Sequence, residues 1–394
     1  MSEFSQTREG QMRVLRIAHA SLTPRLRERE RALARTYPDV DLEVVTTTKW
    51  REAEVEVQAA QDDLFPVTAA RALLSQHVQL FAYDPWPLIR ALRRHKPHLI
   101  DLNAEPYSVA CTEVLLLRNW FAPQAQVVLQ TCQNIFHRYP PPFNWMERRA
   151  LKKVAAAYAC SETARELLEA KGFEKAAPVV PFGVDTESFI RRTPTNGETL
   201  IIGFVGRMLP GKGLNILAGA LAQIAQQEWK ILLVGDGPER TAFELALVRA
   251  GLIDRAEFVG AVSYDDVPGF YQRMDVLVVP TQTTKRIREQ FGRVIIEAMA
   301  SGVPVIGSTC GAIPEVVDQA GIVVPEGDPQ ALADALQRVL TNIKLREDLA
   351  QAGRLRVEQH YSWERVADQT YELYRQVMKT GAATALDRKL EFAA

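Results

Sequence analysis

The chain has 394 residues, of which 47% are hydrophobic and 24% are charged. This length exceeds the size at which a single core usually stops growing, so we expect two domains, and the composition excludes a generally disordered chain. The 47 Lys and Arg nearly balance the 48 Asp and Glu, so the net charge of −1 excludes a general attraction to nucleic acid, and we predict no nucleic-acid partner.

Cysteine usage and hydropathy indicate where the protein works. The four cysteines are widely spaced and form no CxxC pair, which predicts reduced thiols, no disulfide framework and no structural zinc. The first 21 residues carry acids and polar side chains where a signal peptide needs an apolar stretch, and no apolar run approaches the ~20 residues of a membrane span. We expect a cytoplasmic protein, either freely soluble or peripheral at the inner face of the membrane.

Along the chain, short β-branched runs alternate with longer amphipathic segments, the pattern of parallel sheets covered by helices. The predicted fold class is therefore α/β. In the first half the pattern predicts seven strands, at 13–20, 40–47, 77–83, 98–103, 126–131, 155–160 and 177–182. Amphipathic segments such as 85–96 predict helices between these strands.

A polar stretch at 186–199, punctuated by Pro194 and Gly197, has the composition of a linker. A second series of strands follows, predicted at 199–205, 230–235, 256–262, 275–280, 303–308 and 321–326, and helices are predicted beyond about 328. We expect two Rossmann-like, doubly wound domains facing a central cleft, with ligands at the carboxyl ends of both sheets. The predicted domains are 1–188, joined by a last helix at 366–394, and 189–365.

The stretch GRMLPGKG, residues 206–213, follows a predicted strand and opens a predicted helix. Its glycines would let backbone N–H groups approach an anion, the helix amino end adds positive potential, and Arg207 and Lys212 supply charge. This pattern predicts a phosphate site; the alternative is a glycine-rich turn with two exposed cations. The stretch also nearly matches the P-loop G-x-x-x-x-G-K-[ST], since Gly206, Gly211 and Lys212 fit, but Gly213 replaces the hydroxyl that would hold Mg²⁺.

Two carboxylates, Glu289 and Glu297, lie eight positions apart in the stretch EQFGRVIIEAMASGVPV. A helix is predicted over 292–301, which places Glu289 in the loop before it and Glu297 about two turns further along. The backbone amides of Phe291, Gly292 and Arg293 would then face an anion at the helix start. Acids on both sides of an anion site predict a nucleotide sugar, with hexose hydroxyls on one acid, ribose hydroxyls on the other and the diphosphate between.

These residues resemble the family four retaining glycosyltransferases, which adopt the GT-B fold. The matching segments are GRMLPGKG, LLVGDGPE, EQFGRVIIEAMASGVPVI, GAIPEVV and GIVVPEGDP, which span residues 199–330. The resemblance implies that Arg207 and Lys212 neutralise the diphosphate leaving group, that Glu289 contacts the transferred sugar and that Glu297 holds the ribose. It also implies a site without metal, because fixed cations stabilise charge on the leaving phosphate. The base would contact main-chain groups near 259–263, including Val262.

The first domain matches the family less closely and is expected to bind the acceptor. We expect His19 or Ser21 to line the acceptor cleft, and Gln133, Asn134 or His137 to replace a His that family members carry after a middle strand. Glu105 directly follows a strand and is either an acceptor contact or a cap of the following helix.

Two basic clusters, RLRERER at 25–31 and ERRALKK at 147–153, offer contacts for anionic lipid or a charged acceptor. The alternative for each is a solvated helix face, which the interleaved acids favour for 25–31. Peripheral membrane contact is therefore one predicted partner interaction.

The predicted function is transfer of a hexosyl group from a UDP- or GDP-linked sugar to a hydroxyl acceptor, which would be a glycan, a lipid-linked sugar or a small molecule. No cofactor and no metal are predicted. Two alternatives stay open: a P-loop-type nucleotide hydrolase, and a catalytically silent nucleotide-sugar binding protein.

Overall fold

The chain divides into two compact units in the computed structural model, which describes residues 11–52, 55–74, 77, 79–190 and 199–391. The first unit contains the chain up to Cys160, Ala164–Val180 and the chain from Trp363 onward. The second contains Ser161–Thr163 and Pro181–Ser362. The sequence analysis places these boundaries at 188/189 and 365/366. Residues 191–198 of the predicted linker lie outside the described residues.

The first unit is built on a six-stranded parallel sheet of order β10-β9-β8-β1-β2-β5. Two antiparallel pairs, β3–β4 and β6–β7, lie outside this sheet. The order reverses between β1 and β8, and ligands bind at such a point in doubly wound folds. The strands are β1 (Met12–Ala18), β2 (Val40–Thr47), β3 (Lys49–Glu52), β4 (Val55–Gln58), β5 (Val67–Ala70), β6 (Ala72–Leu73), β7 (Ala82–Tyr83), β8 (Leu99–Asn103), β9 (Gln126–Thr131) and β10 (Ala156–Ala159).

Helices cover both faces of this sheet. Leu88, Val114, Leu151 and Leu168 bring one set of helices onto a core that includes Leu15 of β1. A second core on the other face joins Leu33 and Leu373 to the sheet. The first set is α2 (Pro85–His95), α3 (Val109–Phe121), α4 (Phe143–Lys153) and α5 (Glu162–Ala170), and the second is α1 (Glu28–Thr36) and the last helix, α13 (Trp363–Glu391).

A buried ionic network joins α1, the sheet and α13. Asp101, which is fully buried, accepts hydrogen bonds from Arg16 (2.7 Å), Arg29 (2.9 Å) and the Tyr374 hydroxyl (2.5 Å). Burial alone would raise the pKa of Asp101, but Arg16 and Arg29 outweigh it and hold this pKa below 3.8. The network gives the buried charges the partners that they need.

This network corrects the interpretation of the basic cluster at 25–31. Arg27, Arg29 and Glu30 are buried rather than displayed to solvent or lipid. Arg27 donates to the carbonyl oxygens of Leu22 (3.1 Å) and Ala60 (2.7 Å). These cations stabilise the interior of the first unit and are not available as a surface patch.

The second unit contains a parallel sheet of order β13-β12-β11-β14-β15-β16, which reverses between β11 and β14. Both units thus contain the predicted doubly wound sheet. Its strands are β11 (Leu200–Val205), β12 (Trp229–Val234), β13 (Ala256–Gly260), β14 (Val276–Val279), β15 (Val305–Ser308) and β16 (Ile322–Val324). Its helices are α6 (Leu214–Gln223), α7 (Arg240–Arg249), α8 (Val267–Tyr271), α9 (Arg293–Ala300), α10 (Ile313–Val317), α11 (Pro329–Thr341) and α12 (Ile343–Arg356).

Two predicted strands of the first half are wrong. Of the described residues in 77–83, only Ala82 and Tyr83 form a strand, because the N–H of Phe81 closes a turn onto the His77 carbonyl (3.0 Å). The segment 177–182 makes a single bridge from Val179 to β10, since prolines at 178 and 181 lack the N–H that a ladder requires. Strand β5 and the β3–β4 pair were not predicted.

Candidate functional site

The predicted donor residues gather at the carboxyl edge of the second sheet, where its order reverses. Gly206 directly follows β11, and Thr281 follows β14. These two strands are neighbours, so the loops that leave them lie side by side. A pocket for a ligand forms at such a reversal because the two loops turn to opposite faces of the sheet.

The turn at 206–213 fits tightly against the loop after β14. A β-carbon at Gly213 would lie 1.8 Å from the carbonyl oxygen of Pro280, and one at Gly211 would lie 3.1 Å from Thr284. Gly213 also has φ +77° and caps the amino end of α6. Only glycine meets both demands, so the hydroxyl that completes a P-loop cannot be accommodated at this position.

Lys212 and Glu289 form an ion pair across the reversal. Nζ of Lys212 lies 2.6 Å from Oε2 of Glu289, and the Thr281 hydroxyl donates to the same oxygen at 3.2 Å. Both side chains keep partial exposure, 27% for Lys212 and 14% for Glu289. Arg207, on the same turn, is exposed, and its guanidinium makes no hydrogen bond or ion pair with the residues that the structure describes. The turn therefore offers two cations to an anion arriving from solvent.

The backbone of Glu289 is fixed by the turn that follows β15. Its carbonyl oxygen accepts from the N–H of Ala312 (3.0 Å), and its own N–H points to Sγ of Cys310 (3.5 Å). A β-carbon at Gly311 would lie 2.1 Å from the Glu289 carbonyl oxygen, so this close approach requires glycine. This support was not predicted from the sequence, although a glycine at 311, three residues beyond a predicted strand, is a signal for such a turn.

The helix predicted over 292–301 is present as α9. Gly292 caps it with φ +86°, no side chain caps its first turn, and the N–H of Ile295 donates to the Gly292 carbonyl oxygen at 2.9 Å. Phe291 contributes only backbone to this end, because its ring is buried edge-on against Phe182 and Tyr361. The Arg293 side chain turns back and donates to the Tyr264 hydroxyl at 3.0 Å.

Glu297 is buried and held by two tyrosines. The hydroxyl of Tyr264 donates to Oε1 at 2.9 Å and that of Tyr271 to Oε2 at 3.0 Å. Burial and the Glu297 charge raise the pKa of Tyr264, so its hydroxyl keeps the proton that it donates. A ribose hydroxyl that binds Oε1 must therefore compete with Tyr264, a residue that the sequence analysis did not select.

Further glycines line the same edge. The N–H of Gly235 donates to the Gly260 carbonyl (2.8 Å), and Gly235 packs on the carbonyl of Gly206. Val262 lies half-buried two residues beyond Gly260. The loops after β11, β12 and β13 are thus joined by backbone contacts.

On the first unit, His19 lies at the carboxyl end of β1. Its ring packs against Trp50 and Phe81, with centroids 4.7 and 5.3 Å away. Burial, helped by the charge of Arg16, lowers the pKa of His19 to about 4, so the imidazole is neutral at pH 7. Its Nδ1 is buried and has no hydrogen-bond partner among the described residues. Ser21, two residues on, is buried.

Glu105 follows β8, across the reversal from His19. It accepts a hydrogen bond from the Thr131 hydroxyl (2.7 Å) and from the N–H of Cys132 (3.3 Å). Burial raises the pKa of Glu105. The interpretation of Glu105 as a helix cap is wrong, because Ser108 caps α3 through the N–H of Cys111 (3.1 Å).

The three residues considered for the position after β9 differ in setting. Gln133 is half-buried and bonded through its side chain to Tyr139 and to Lys171. Asn134 is buried, whereas His137 is exposed. Lys171 was not selected from the sequence; it pairs with Glu147 (2.5 Å) and lies 5.0 Å from the centre of the Tyr139 ring. Gln133 is thus held by two side chains of the first unit.

The described residues contain neither a cluster of metal ligands nor a helix that could span a membrane. No three His, Cys, Asp or Glu side chains come together in a group that could hold a metal ion. Nor does that part of the chain contain a helix with the length and apolarity to cross a membrane.

Comparison with known proteins identifies the family of the chain. Residues 26–188 match the family model described as Glycosyltransferase Family 4, and residues 199–342 match that of Glycosyl transferases group 1. Together the two matches span most of the chain. The chain belongs to the family 4 glycosyltransferases.

Relatives in this glycosyltransferase family include a phosphatidyl-myo-inositol mannosyltransferase of Mycobacterium leprae, 33% identical over 59% of this chain and 62% of the relative. A D-inositol 3-phosphate glycosyltransferase of Saccharomonospora viridis is 31% identical over 48% of this chain and 46% of the relative. The alignments thus span about half to three-fifths of these relatives. The Anabaena protein HepE, in a crystal structure with UDP and glucose, shares the GT-B fold with a TM-score of 0.70 at 19% identity, over 93% of this chain and 100% of HepE.

Proposed function

We propose that this family member transfers a hexosyl group from a nucleotide-diphosphate sugar to a hydroxyl acceptor, with retention of anomeric configuration and without a metal ion. The observation that carries the proposal is the Lys212–Glu289 pair beside the glycine-capped starts of α6 and α9. A cation that is held by a carboxylate and is still partly exposed can move to an arriving diphosphate. Its departure lets the Glu289 carboxylate accept hydrogen bonds from sugar hydroxyls.

The proposed step breaks the bond between the anomeric carbon and the β-phosphate oxygen and forms a bond from that carbon to the acceptor oxygen. The acceptor proton ends on the released nucleoside diphosphate. Negative charge grows on the diphosphate as the bond breaks, and Arg207, Lys212 and the amino end of α6 would stabilise it. These groups are fixed before the reaction, so they need little reorganisation.

The family and the site support the proposed donor and acceptor classes. UDP is supported as the nucleotide because HepE was crystallised with UDP and glucose, and a GDP-linked donor stays possible on the geometry. Phosphatidylinositol and inositol phosphate appear in the names of relatives, so hydroxyls of lipid-linked or small polyols join glycans as candidate acceptors. His19, Glu105 and Gln133 of the first unit are the proposed acceptor contacts. A cytoplasmic enzyme, in peripheral contact with the membrane, fits these acceptors.

The two alternative functions have less support. A P-loop hydrolase needs a hydroxyl at position 213, where a β-carbon would meet the Pro280 oxygen. A silent binding protein would not need the charge of Glu289, yet this carboxylate is fixed through its backbone and side chain and is partly exposed.

The test has two stages. A thermal-shift panel of UDP, GDP and ADP sugars identifies the donor, since a bound ligand raises the melting temperature with the logarithm of its concentration over Kd. The selected donor is then incubated with phosphoinositide, inositol phosphate and alkyl glycoside acceptors in the presence of EDTA, and the product linkage is read by NMR. We expect an α-linked product from an α-linked donor. Release of free sugar alone, inversion, or loss of activity with EDTA would each contradict a part of the proposal.

A further inference from the structure

The outer face of α2, α3 and α4 combines exposed aromatic side chains with unpaired cations. Trp86 on α2, Trp120 on α3 and Trp145 on α4 are 66%, 80% and 57% exposed. Leu116 on α3 is 46% exposed. The three helices form one layer, because α3 contacts both α2 and α4. A cluster of large exposed apolar side chains usually marks a surface that binds a protein or a membrane, so this layer is a candidate interaction surface.

Cations share the same helix faces. Trp86, Arg90 and Arg93 follow one another at helical spacing on α2, and so do Trp145 and Arg149 on α4. The exposed cations of the layer that have no acidic partner among the described residues are Arg90, Arg93, Arg148, Arg149, Lys152 and Lys153.

Acids are absent from this outer face. The three helices, which the structure describes completely, contain two acids, Glu113 and Glu147. Glu147 is buried and paired with Lys171, and Glu113 accepts from the N–H of Tyr83 (2.8 Å). The neighbouring helix α5 differs, since its Arg165 is neutralised by Glu169 at 2.5 Å. The six cations of α2 and α4 therefore give this face a positive charge that the two acids of the three helices do not neutralise, in a chain with a net charge of −1.

A groove between α3 and α4 joins the apolar and cationic parts. Leu115, Leu116 and Met146 line it together with Arg149 and Lys153. Arg149 also lies over the ring of Trp145, 5.4 Å from its centre. Basic side chains thus rim an apolar base, an arrangement that suits acyl chains below charged head groups.

We propose that this face, formed by α2, α3 and α4, docks the protein on an anionic lipid bilayer. The six cations attract the anionic head groups, and the tryptophans enter the interface between head groups and acyl chains. A second copy of the chain fits poorly, because a symmetric contact would oppose six cations to the same six. Single-stranded nucleic acid fits less well, since Leu116 offers no ring for a base and Arg149 covers that of Trp145.

This inference gives the peripheral membrane contact of the proposed function a defined surface, and its test is independent of sugar transfer. The full chain is sedimented with phosphatidylcholine vesicles that contain or lack phosphatidylglycerol. We expect binding to the anionic vesicles alone, weakened by salt. The double variant R148E/K152E should bind at least about tenfold more weakly, since each cation near the surface contributes several-fold. The matched control K230E/R249E reverses two exposed cations of the second unit and should bind like the wild type.

Tryptophan fluorescence tests whether the exposed aromatic rings enter the bilayer. Of the other tryptophans, Trp50 and Trp229 are buried and Trp363 is half-buried, so a blue shift of tryptophan fluorescence on anionic vesicles would report mainly the three exposed rings. The triple variant W86S/W120S/W145S should lose this shift while it keeps UDP binding, which involves the second unit. Equal binding to neutral vesicles, wild-type binding by R148E/K152E, a dimer that this variant dissolves, or competition by single-stranded RNA would overturn the assignment. Loss of transfer activity with intact vesicle binding would instead affect the proposed function alone.

Discussion

The α-carbon of Gly213 faces the carbonyl oxygen of Pro280 so closely that a β-carbon would lie 1.8 Å from that oxygen. Replacing Gly213 with Ser completes the P-loop pattern in sequence but should destabilise the protein by roughly 2–5 kcal/mol, through backbone strain at φ +77° together with overpacking. Urea unfolding measures this change. Gly251→Ser is the matched control, since Gly251 has φ +69° with open space around it and should cost about 1 kcal/mol. A stable Gly213→Ser protein that hydrolyses nucleotide with Mg²⁺ would support the alternative function of a P-loop hydrolase.

Substitutions of Lys212 and Glu289 should affect donor binding and sugar transfer differently. Lys212→Met removes a cation from the diphosphate site and should weaken UDP binding and transfer together. Glu289→Gln should leave UDP binding unchanged or stronger, because Lys212 is then free, while transfer falls by about 10²–10³-fold. Calorimetry with UDP and initial transfer rates measure the two effects, with Lys230→Met as the control on an exposed cation. Near-normal turnover in either variant would refute the assigned roles.

Tyr264 should compete with the ribose for Glu297. Tyr264→Phe leaves Oε1 of Glu297 without its 2.9 Å hydrogen bond, so UDP should bind a few-fold more tightly, an effect of about 1 kcal/mol or less. The same comparison with 2′,3′-dideoxy-UDP removes the ribose hydroxyls and should abolish the gain. An equal gain with both nucleotides would mean that Glu297 does not hold the ribose.

Glu113 should lower the stability of the folded protein as the pH rises from about 4.5 to about 7. Burial raises the pKa of Glu113 to about 7, against the opposing effect of the Tyr83 N–H. Because the folded state holds this proton more tightly than the unfolded state, the contribution is complete below pH ~4.5 and is lost as the pH rises through about 7. Glu113→Gln keeps an acceptor for Tyr83, so it should be more stable than the wild type at pH 8 and lose the pH-dependent advantage at pH 4. Denaturant midpoints at the two pH values decide this.

Asp101 should make the stability depend on pH in the opposite direction from Glu113. Its pKa is held below 3.8, so the carboxylate contributes stability above pH ~4, and the contribution is lost as the pH falls through the folded value. Asp101→Asn should cost about 3–5 kcal/mol at pH 7, because Arg16 and Arg29 lose their buried partner. The milder Tyr374→Phe should cost about 1 kcal/mol. The gap between wild type and Asp101→Asn should narrow in acid; a constant gap from pH 7 to pH 2 would contradict this account.

The sequence predicts the second unit better than the first. Five of the six strands of the second sheet lie within their predicted ranges and β12 begins one residue before its range, because buried parallel strands are uninterrupted apolar runs bounded by glycines. The β3–β4 pair was not predicted because its segment, KWREAEVEVQ, contains five charged residues and no continuous apolar run. At Phe81 a strand was predicted where none forms. This residue is buried beside His19, but it lies in a turn.

Long-range partners account for the remaining errors. Arg29 finds Asp101 72 residues away, and no local pattern distinguishes such a buried cation from a solvated one. Likewise, the Glu289–Glu297 spacing identifies the acids, whereas Tyr264 comes to Glu297 from 33 residues earlier. The spacing of a motif predicts which residues share an element, but the fold decides which side chains meet them.

The return of α13 to the first unit has a consequence for synthesis. Asp101 is made early, but Tyr374, which donates to it, emerges from the ribosome 273 residues later. The second unit is largely continuous in the chain, so it can complete its core before the first unit receives its last helix. Domain order along the polypeptide and order of maturation are thereby reversed, and the nascent amino-terminal half is the part that needs chaperone protection longest.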